Sequence, residues 1–421
     1  MPPDSTSNPR DAARQQRTVV LLVDTSRSYG REIVRGVGRF RREQGNWAIH
    51  FKPHGLSEPP PPWLREARPD GVLARIGNPA LAKAIVGLGV PAVDLRGVLS
   101  ETGLPSIGVD HREVARLAAR HLLQRGFVRF GFCGLPRGVH PHMDELCDHF
   151  VAEIEAAGHR CSVFLARRGP QRGEAWERQQ SRVHQWRDQQ RRISEWIDSL
   201  VKPAAVMACH DDRALQVLDA CRRARVRVPE ELAVISADND EYLCEMAIPP
   251  LTSIDENAAQ IGYQAALLLE SLMAGCEPPP KRLLVAPRGV VTRQSTDFAA
   301  IEDRHVAQAM RFIREHACEG ILPRDVVAQI PLSRVALASR FKSIVGRTMG
   351  AEIQRVRIRL ARELLSETEL PIKRVAHRAG FRYVEYMTRL FTRMTGQTPA
   401  EYRKASRFPS AASIPPGSLT T

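Results

Sequence analysis

The chain has 421 residues, of which 43% are hydrophobic and 26% charged, and carries a net charge of +14. Such a length calls for two or three domains, such a composition belongs to a folded soluble protein, and no run approaches the ~20 apolar residues of a membrane helix. Eight cysteines (133, 147, 161, 209, 221, 244, 276 and 318) form no C-x-x-C pair, which argues against a zinc ribbon or a disulfide scaffold and fits reduced thiols in the cytoplasm. Residues 1–16 are polar and rich in Pro and Ser, without the apolar centre of a secretion signal, and predict a disordered tail.

From residue 17 to residue 296 short apolar runs alternate with amphipathic stretches. Val19-Val20-Leu21-Leu22-Val23 predicts a buried parallel strand. It runs into the polar loop Asp24-Thr25-Ser26-Arg27-Ser28, and Ile33, Val34, Val37 and Phe40 follow at helical spacing. Further strands are predicted at 71–74, 91–94, 130–133, 204–208 and 232–236, and further helices around 115–122 and 214–221. The Gln- and Arg-rich stretch 174–199 predicts a surface helix whose buried stripe is Trp186, Ile193, Trp196, Ile197 and Leu200, with its three Trp as packing or one of them capping the cleft. Pro59–Pro62 and Pro278–Pro280 mark loops. The whole alternation predicts doubly wound α/β layers, in which ligands sit beyond the carboxyl ends of the strands.

Three strand ends carry polar loops: Asp24-Thr25-Ser26-Arg27, His210-Asp211-Asp212-Arg213 and Asp238-Asn239-Asp240. Neither G-x-G-x-x-G after the first strand nor G-x-x-x-x-G-K-S/T occurs, which disfavours dinucleotides and nucleoside triphosphates. Carboxylates, amides and guanidiniums around a cleft suit a polyhydroxylated ligand, because each can hold hydroxyls in pairs. Ordinary helix caps would use the same residue types. His140, His142, Asp144 and Cys147 lie close in sequence but match no common metal spacing and read as loop coincidence. No G-x-S-x-G and no Cys–His pair of known spacing supports an enzyme, and no cofactor is expected.

Residues 297–302 form a short linker, after which the strand-like runs stop. Residues 303–407 hold 21 Lys and Arg against 10 Asp and Glu, while the preceding 302 residues are nearly balanced at 40 against 37. A concentrated basic region is the footprint of a nucleic-acid binder, the alternative being a merely soluble basic helical domain. Two similar units occur in it. In the first, Val326-Val327-Ala328-Gln329-Ile330 leads through Pro331-Leu332 to Ser333 as an N-cap and a helix over 334–345. In the second, Ile372-Lys373-Arg374-Val375-Ala376 leads through Ala379-Gly380-Phe381 into a helix over 382–394. Both follow the helix-turn-helix plan. Ile353, Val356, Leu360 and Leu364 predict a connecting helix whose other faces show Arg355, Arg357, Arg359 and Arg362.

A major groove about 12 Å wide admits a helix, and two helices held roughly 34 Å apart read consecutive grooves. The predicted base readers are Val335, Ala336, Ala338 and Ser339 on the first helix and Tyr383, Glu385, Tyr386 and Arg389 on the second. Arg389 suits guanine and Glu385 the cytosine amino group. Arg334, Arg340, Lys342, Arg382 and Arg393 are candidates for phosphate. Beyond residue 407 the composition predicts a frayed tail over 408–421.

The stretch Pro371-Ile372…Ala379-Gly380-Phe381…Phe391…Thr395-Gly396-Gln397-Thr398-Pro399…Tyr402-Arg403 closely resembles the C-terminal signature of AraC-type regulators. That resemblance implies a seven-helix domain with two helix-turn-helix units. Ala208-Cys209-His210-Asp211-Asp212, Val234-Ile235-Ser236-Ala237-Asp238-Asn239-Asp240 and Pro249-Pro250-Leu251-Thr252-Ser253-Ile254 resemble the sensor of LacI-type repressors, a periplasmic-binding-protein-like fold. The fused order, over roughly residues 18–405, is similar to a family of bacterial regulators of xylose-like sugar operons. It implies an α/β two-lobed sensor followed by an all-α reader, a homodimer, a sugar effector, double-stranded DNA as partner, activation of sugar-use genes, and a place in the bacterial cytoplasm on the nucleoid. Asp211 and Asp238 fall on the family's acidic cleft positions, joining Asp24, Ser26 and Arg27 as expected effector contacts. LacI-type sensors usually carry an effector-holding Arg four residues before an aromatic on the helix after Gly134-Leu135-Pro136; here Phe150 matches the aromatic and Leu146 replaces the Arg. His140, His142 and Arg137 are the nearby alternative donors. The competing reading is a DNA-binding dimer whose first domain no longer senses a sugar.

Overall fold

The computed structural model describes residues 16–44, 46–95, 99, 102–166, 175–279, 282–297 and 303–407. The expected tails, apart from Gln16, and nearly all of the expected linker lie outside the described residues, as do Pro280 and the side chain of Trp176. The chain divides into two compact units, Met1–Ala300 and Ile301–Thr421.

The first unit contains β1 (Arg17–Val23), α1 (Ser28–Glu43), β2 (Trp47–Pro53), β3 (Gly71–Ala74), α2 (Pro79–Val86), β4 (Ala92–Asp94), β5 (Ile107–Val109), α3 (His111–Leu123), β6 (Phe130–Gly134), α4 (Pro141–Ala156) and β7 (Cys161–Leu165). It continues with α5 (Ala175–Ser199), β8 (Ala204–Ala208), α6 (Asp211–Arg223), β9 (Leu232–Ala237), α7 (Glu241–Met246), β10 (Thr252–Asp255), α8 (Ala258–Met273), β11 (Leu283–Val285) and β12 (Gly289–Val291). The strands form a four-stranded sheet in the order β2-β1-β3-β4, a six-stranded sheet in the order β12-β10-β9-β8-β6-β7, and the small pair β11-β5. Every pairing is parallel except β10 with β12 at an edge. The all-apolar strand sequences follow from this arrangement, because a parallel sheet is covered by helices on both faces. Val19 and Leu21 point into one core, Val20 and Leu22 into another.

Each sheet founds one lobe, and the chain passes between them more than once. Helix α8 leaves the second sheet after β10 and packs on α1 of the first. The two helices meet at glycines: a Cβ on Gly36 would lie 1.9 Å from the Ala259 carbonyl oxygen, and one on Gly262 would lie 2.1 Å from that of Ile33. Within α5, Ile193 and Ile197 are fully buried. Trp196 packs beside them and donates Nε1–H to Ser162 Oγ at 2.9 Å. Trp186 is exposed, so its packing role does not extend to the core.

The second unit holds seven helices among its described residues: α9 (Arg304–His316), α10 (Pro323–Ala328), α11 (Arg334–Val345), α12 (Met349–Glu367), α13 (Ile372–Arg378), α14 (Val384–Thr395) and α15 (Pro399–Arg407). Asp303 caps α9 by accepting from His305 N–H and Val306 N–H. Ser333 caps α11 by accepting from Ala336 N–H, and Thr348 caps α12. Helix α14 begins two residues later than its sequence predicts, because Tyr383 is extended and serves as N-cap. Leu337 and Phe341 bury the inner face of α11; Met387, Leu390 and Phe391 bury that of α14.

The connecting helix α12 corrects one expectation. Its buried stripe is Ile353, Val356, Ile358, Ala361 and Leu365, with Leu360 and Leu364 only half-buried. Arg357 is not on an outer face. Its guanidinium is buried, donating to the carbonyl oxygens of Ala317 at 2.7 Å and Ile321 at 2.8 Å. Those carbonyls close the turn between α9 and α10 and need donors.

Candidate functional site

The first unit contains a cavity of about 590 Å³, within the usual span for small-molecule sites. It opens beyond the carboxyl ends of the parallel strands. Asp24 follows β1, Arg75 follows β3, Leu135 follows β6, Asp238 follows β9 and Glu256 follows β10; all line the cavity. Arg27 lines it from the start of α1, His111 from α3, His142 and Met143 from α4, and Asp212, Arg213 and Gln216 from α6. Tyr29, His140, His210 and Arg282 complete the polar wall.

Of the effector contacts expected from sequence, Asp24, Arg27 and Asp238 line this cavity, while Ser26 and Asp211 do not. Ser26 is exposed and donates its backbone N–H to Asp24 Oδ1 at 2.8 Å. Asp211 is buried, and both its carboxylate oxygens are taken: Oδ1 accepts from Ser236 Oγ and Ser253 Oγ, and Oδ2 from Asp240 N–H. Asp211 therefore holds the loop after β9. In that loop Asp238 and Asn239 take the left-handed φ values +95° and +51°, a costly conformation for side-chain-bearing residues. The strain aims Asp238 at the cavity.

Leu146, in place of the usual Arg, contributes no donor to the cavity. It is fully buried in the core with Phe150 and does not reach the cavity. His140 and His142 do line it, whereas Arg137 lies on the surface, paired with Asp148. Sequence reasoning overlooked Arg75, Glu256, Arg282, His111 and Tyr29. The strand-end rule that picked out Asp24 and Asp238 applies equally to Arg75 and Glu256.

Two ion pairs cross the mouth. Arg27 Nη2 lies 2.9 Å from Asp212 Oδ2, and Arg31 Nη2 lies 3.3 Å from Asp240 Oδ2, which also accepts from Ser28 N–H. They join the start of α1 to the second lobe. Inside, burial works to raise the Asp24 carboxyl, but hydrogen bonds from Ser26 and the charges of Arg75 and Arg27 outweigh it and hold the group below its usual value. Asp238 is pushed well up by burial and by the charges of Glu256 and Asp211. Burial and the Asp211 charge push Glu256 up to about 8. Burial and neighbouring arginines hold His111 and His210 down at about 3, so the histidine wall is neutral. No group of three or more His, Cys, Asp or Glu placed to hold a metal occurs among the described residues.

In the second unit the two short-helix, turn, long-helix units are α10–α11 and α13–α14. Val335, Ala338 and Ser339 are exposed on α11, with Ala336 half-buried. Val335 is 79% exposed, so this apolar side chain has no packing duty within the unit. Tyr383, Glu385, Tyr386 and Arg389 are exposed at the start and along the outer face of α14. The Tyr386 hydroxyl accepts from Gln354 Nε2 at 2.6 Å, which fixes it against α12. Arg334, Arg340, Lys342, Arg382 and Arg393 are exposed around these helices. Arg340 pairs with Asp303 at 3.3 Å, and Arg382 stacks on Tyr383.

Residues 119–296 match the periplasmic binding protein-like domain family, and residues 326–405 match a helix-turn-helix domain family. The xylose operon regulatory protein of Escherichia coli strain K12 is 32% identical over 397 residues, covering 92% of this chain and 97% of that protein. The chain belongs to the xylose operon regulatory protein family. The Haemophilus influenzae member is 28% identical over 92% of this chain and 98% of its own length. A solved structure described as the xylose-binding transcription activator xylR superposes with a TM-score of 0.74 at 31% identity, covering 93% of this chain and 98% of that one. A LacI-family regulator from Mycobacterium smegmatis, 17% identical with a TM-score of 0.51 over 68% of this chain, shares the fold of the first unit. The family member described here is thus a transcription regulator, with a LacI-type sensor fold ahead of an AraC-type DNA-binding helix-turn-helix region. No helix among the described residues is long and apolar enough to cross a membrane.

Proposed function

We propose that this chain is a ligand-gated regulator of sugar-use genes, with residues 17–296 as sensor and 303–407 as DNA reader. A sugar-like effector enters the cavity and strengthens activation. The observation that carries the reading is the cavity itself: two sheets present Asp24, Arg75, Asp238 and Glu256 from strand ends around one space of about 590 Å³. The xylose-binding activator of similar fold supports a sugar as the class of effector. The reader contacts bases through Val335, Ala336, Ala338 and Ser339 in one groove and Tyr383, Glu385, Tyr386 and Arg389 in the next, and phosphates through the surrounding Arg and Lys. It acts on DNA in the cytoplasm, as a dimer with its own copy, and has no catalytic role.

The reading with a silent sensor rested on Leu146. Leu146 lies in the core and does not line the cavity, so the polar wall that favours the sensor reading is built from other residues. The test pairs two measurements on the full chain. Fluorescence anisotropy against promoter fragments of sugar-use operons should show salt-sensitive, sequence-selective binding. A thermal-shift screen of aldoses should raise the melting temperature of the sensor by mass action. An effector that activates must also bind the DNA complex more tightly than the free protein. Absence of selective DNA binding, or of any sugar response, refutes the reading.

A further inference from the structure

Helix α11 presents an outer face that its own fold does not use. Val335, Ala338 and Ser339 are three and four residues apart and so share one side, turned away from the buried Leu337 and Phe341. Scattered exposed apolar residues are common, so exposure alone decides nothing. Position is what singles out Val335. It is the second residue of the helix after the Ser333 cap and is 79% exposed. The first residues of the second helix are those that a helix-turn-helix unit turns to base edges. A β-branched residue there also favours the helix less than Ala would, so helix stability is no reason for it. From 335 to 339 the chain reads Val-Ala-Leu-Ala-Ser. The side chains that pair hydrogen bonds on guanine or adenine, or accept from cytosine, are therefore absent from this run.

We propose that Val335 and Ala338 select thymine by its 5-methyl group, so that the half-site under α11 is read by apolar contact and the half-site under α14 by hydrogen bonds. The proposal rests on the reading of 303–407 as DNA-binding given above. Thymine alone among the four bases carries a methyl group on its major-groove edge. Packing that methyl against the Val335 and Ala338 methyls removes apolar surface on both sides from water. Ser339 both donates and accepts, so it tolerates whichever base lies beside the thymine. Helix α14 is equipped in the opposite way, with Glu385 and Arg389 exposed. A docked protein is the competing occupant of the α11 face. Against it stands the rim of Arg334, Arg340 and Lys342, all exposed, in a region holding 21 Lys and Arg against 10 Asp and Glu. A rim of one sign suits a polyanion. One valine among alanines and a serine also offers no aromatic or arginine anchor of the kind that dominates protein interfaces.

The test uses a duplex selected by the full chain from a random-sequence pool and remade with deoxyuridine for thymine, one position at a time. Uracil keeps every hydrogen-bonding group of thymine and lacks only the methyl. At one or two positions the exchange should weaken binding about threefold to fivefold per methyl, read by fluorescence anisotropy. At those positions 5-methylcytosine opposite guanine should bind better than cytosine. Val335→Ala should weaken binding to the thymine duplex about threefold to tenfold and abolish the thymine–uracil difference where Val335 makes the contact. The DNA-free melting temperature should stay unchanged or rise, because Ala is the better helix former at an exposed position. Arg389→Ala should leave the thymine–uracil difference intact. No uracil effect at any position, or one of equal size in Val335→Ala, overturns the proposal and leaves the DNA-reader reading standing. If Val335→Ala binds the duplex like its parent yet fails to activate transcription from it in a reconstituted reaction, the face belongs to a protein contact and the proposal is overturned. A pool from which the full chain enriches no sequence removes the DNA-reader reading itself.

Discussion

Replacing Arg357 with Met tests whether the two DNA-reading units are one rigid body. The buried guanidinium donates to the Ala317 carbonyl at 2.7 Å and the Ile321 carbonyl at 2.8 Å, which belong to the turn ahead of the first unit. It also lies 5.7 Å from the Phe381 ring, in the turn of the second unit. Met keeps most of the stem volume but supplies no donor. Each hydrogen bond from a charged donor contributes ~1.5 kcal/mol at the low end, and the contact with Phe381 adds ~0.5 kcal/mol. Relief of the desolvation of the buried charge offsets part of this sum, which leaves a loss of about 2–3 kcal/mol. Hydrogen exchange read by mass spectrometry on peptides from 303–407 measures that loss where it arises, and amides of α10, α12 and α13 should exchange about 30- to 150-fold faster. Binding to an operator carrying both half-sites should fall more than binding to either half alone. Exchange within a factor of two of the unmodified chain would refute the idea that Arg357 couples the units.

Gly380→Ala should cost more than ~2 kcal/mol, because Gly380 has φ +79° and the new Cβ would lie 2.7 Å from the Cys318 backbone; a soluble variant melting like its parent would contradict this. Arg389→Ala should weaken operator binding by ~1–3 kcal/mol and relax selectivity at one base pair; equal weakening on every sequence, read by competition binding, would make Arg389 a phosphate contact. Leu146→Ala should destabilise the sensor by ~2–5 kcal/mol as a core deletion and leave aldose affinity unchanged, since Leu146 is fully buried away from the cavity. The pH dependence follows from Glu256, whose carboxyl rises from 4.5 to about 8 on folding. The folded chain then holds a proton that the unfolded chain releases, so this stability is full below pH 4.5 and is lost as pH rises to about 8. Glu256→Gln should therefore gain on the parent by up to ~1.4 kcal/mol per pH unit across that window; urea midpoints that stay parallel would rule this out.

What the sequence made legible divides by how local the cause is. The strand β1 and the helix α11 were readable because an unbroken apolar run and a Ser333 cap act within a few residues. Helix α14 starts late because the extended Tyr383 backbone is set by the turn it leaves, which no residue type there dictates. The edge strands β2 and β7 escaped notice because each is half exposed and mixes polar residues into its run. Asp24 and Asp238 were found by their place after strands, yet Asp211, one residue into α6, turned inward to serve Ser236 and Ser253. Arg357 was misread for a related reason: an arginine every second residue looks like a solvated face until tertiary packing brings orphan carbonyls to one of them.

The same geometry decides what can switch the sensor. The pairs Arg27–Asp212 and Arg31–Asp240 join the lobes at the mouth, but the Arg27, Asp212 and Arg31 side chains stay 49%, 39% and 41% exposed. Exposed pairs of this kind contribute ~0–1 kcal/mol each and weaken with salt. The buried groups at Arg75 and Glu256 are a larger reserve, because each is already out of water and each belongs to a different sheet. A ligand that satisfied both would engage the two lobes together, and any difference in its affinity between two forms of the sensor would be the free energy available for regulation. Arg27→Ala should accordingly change aldose affinity by less than about fivefold and reduce its salt dependence, with the response of DNA binding to the sugar retained. A complete loss of that response in Arg27→Ala would move the switch from the buried groups at Arg75 and Glu256 to the rim.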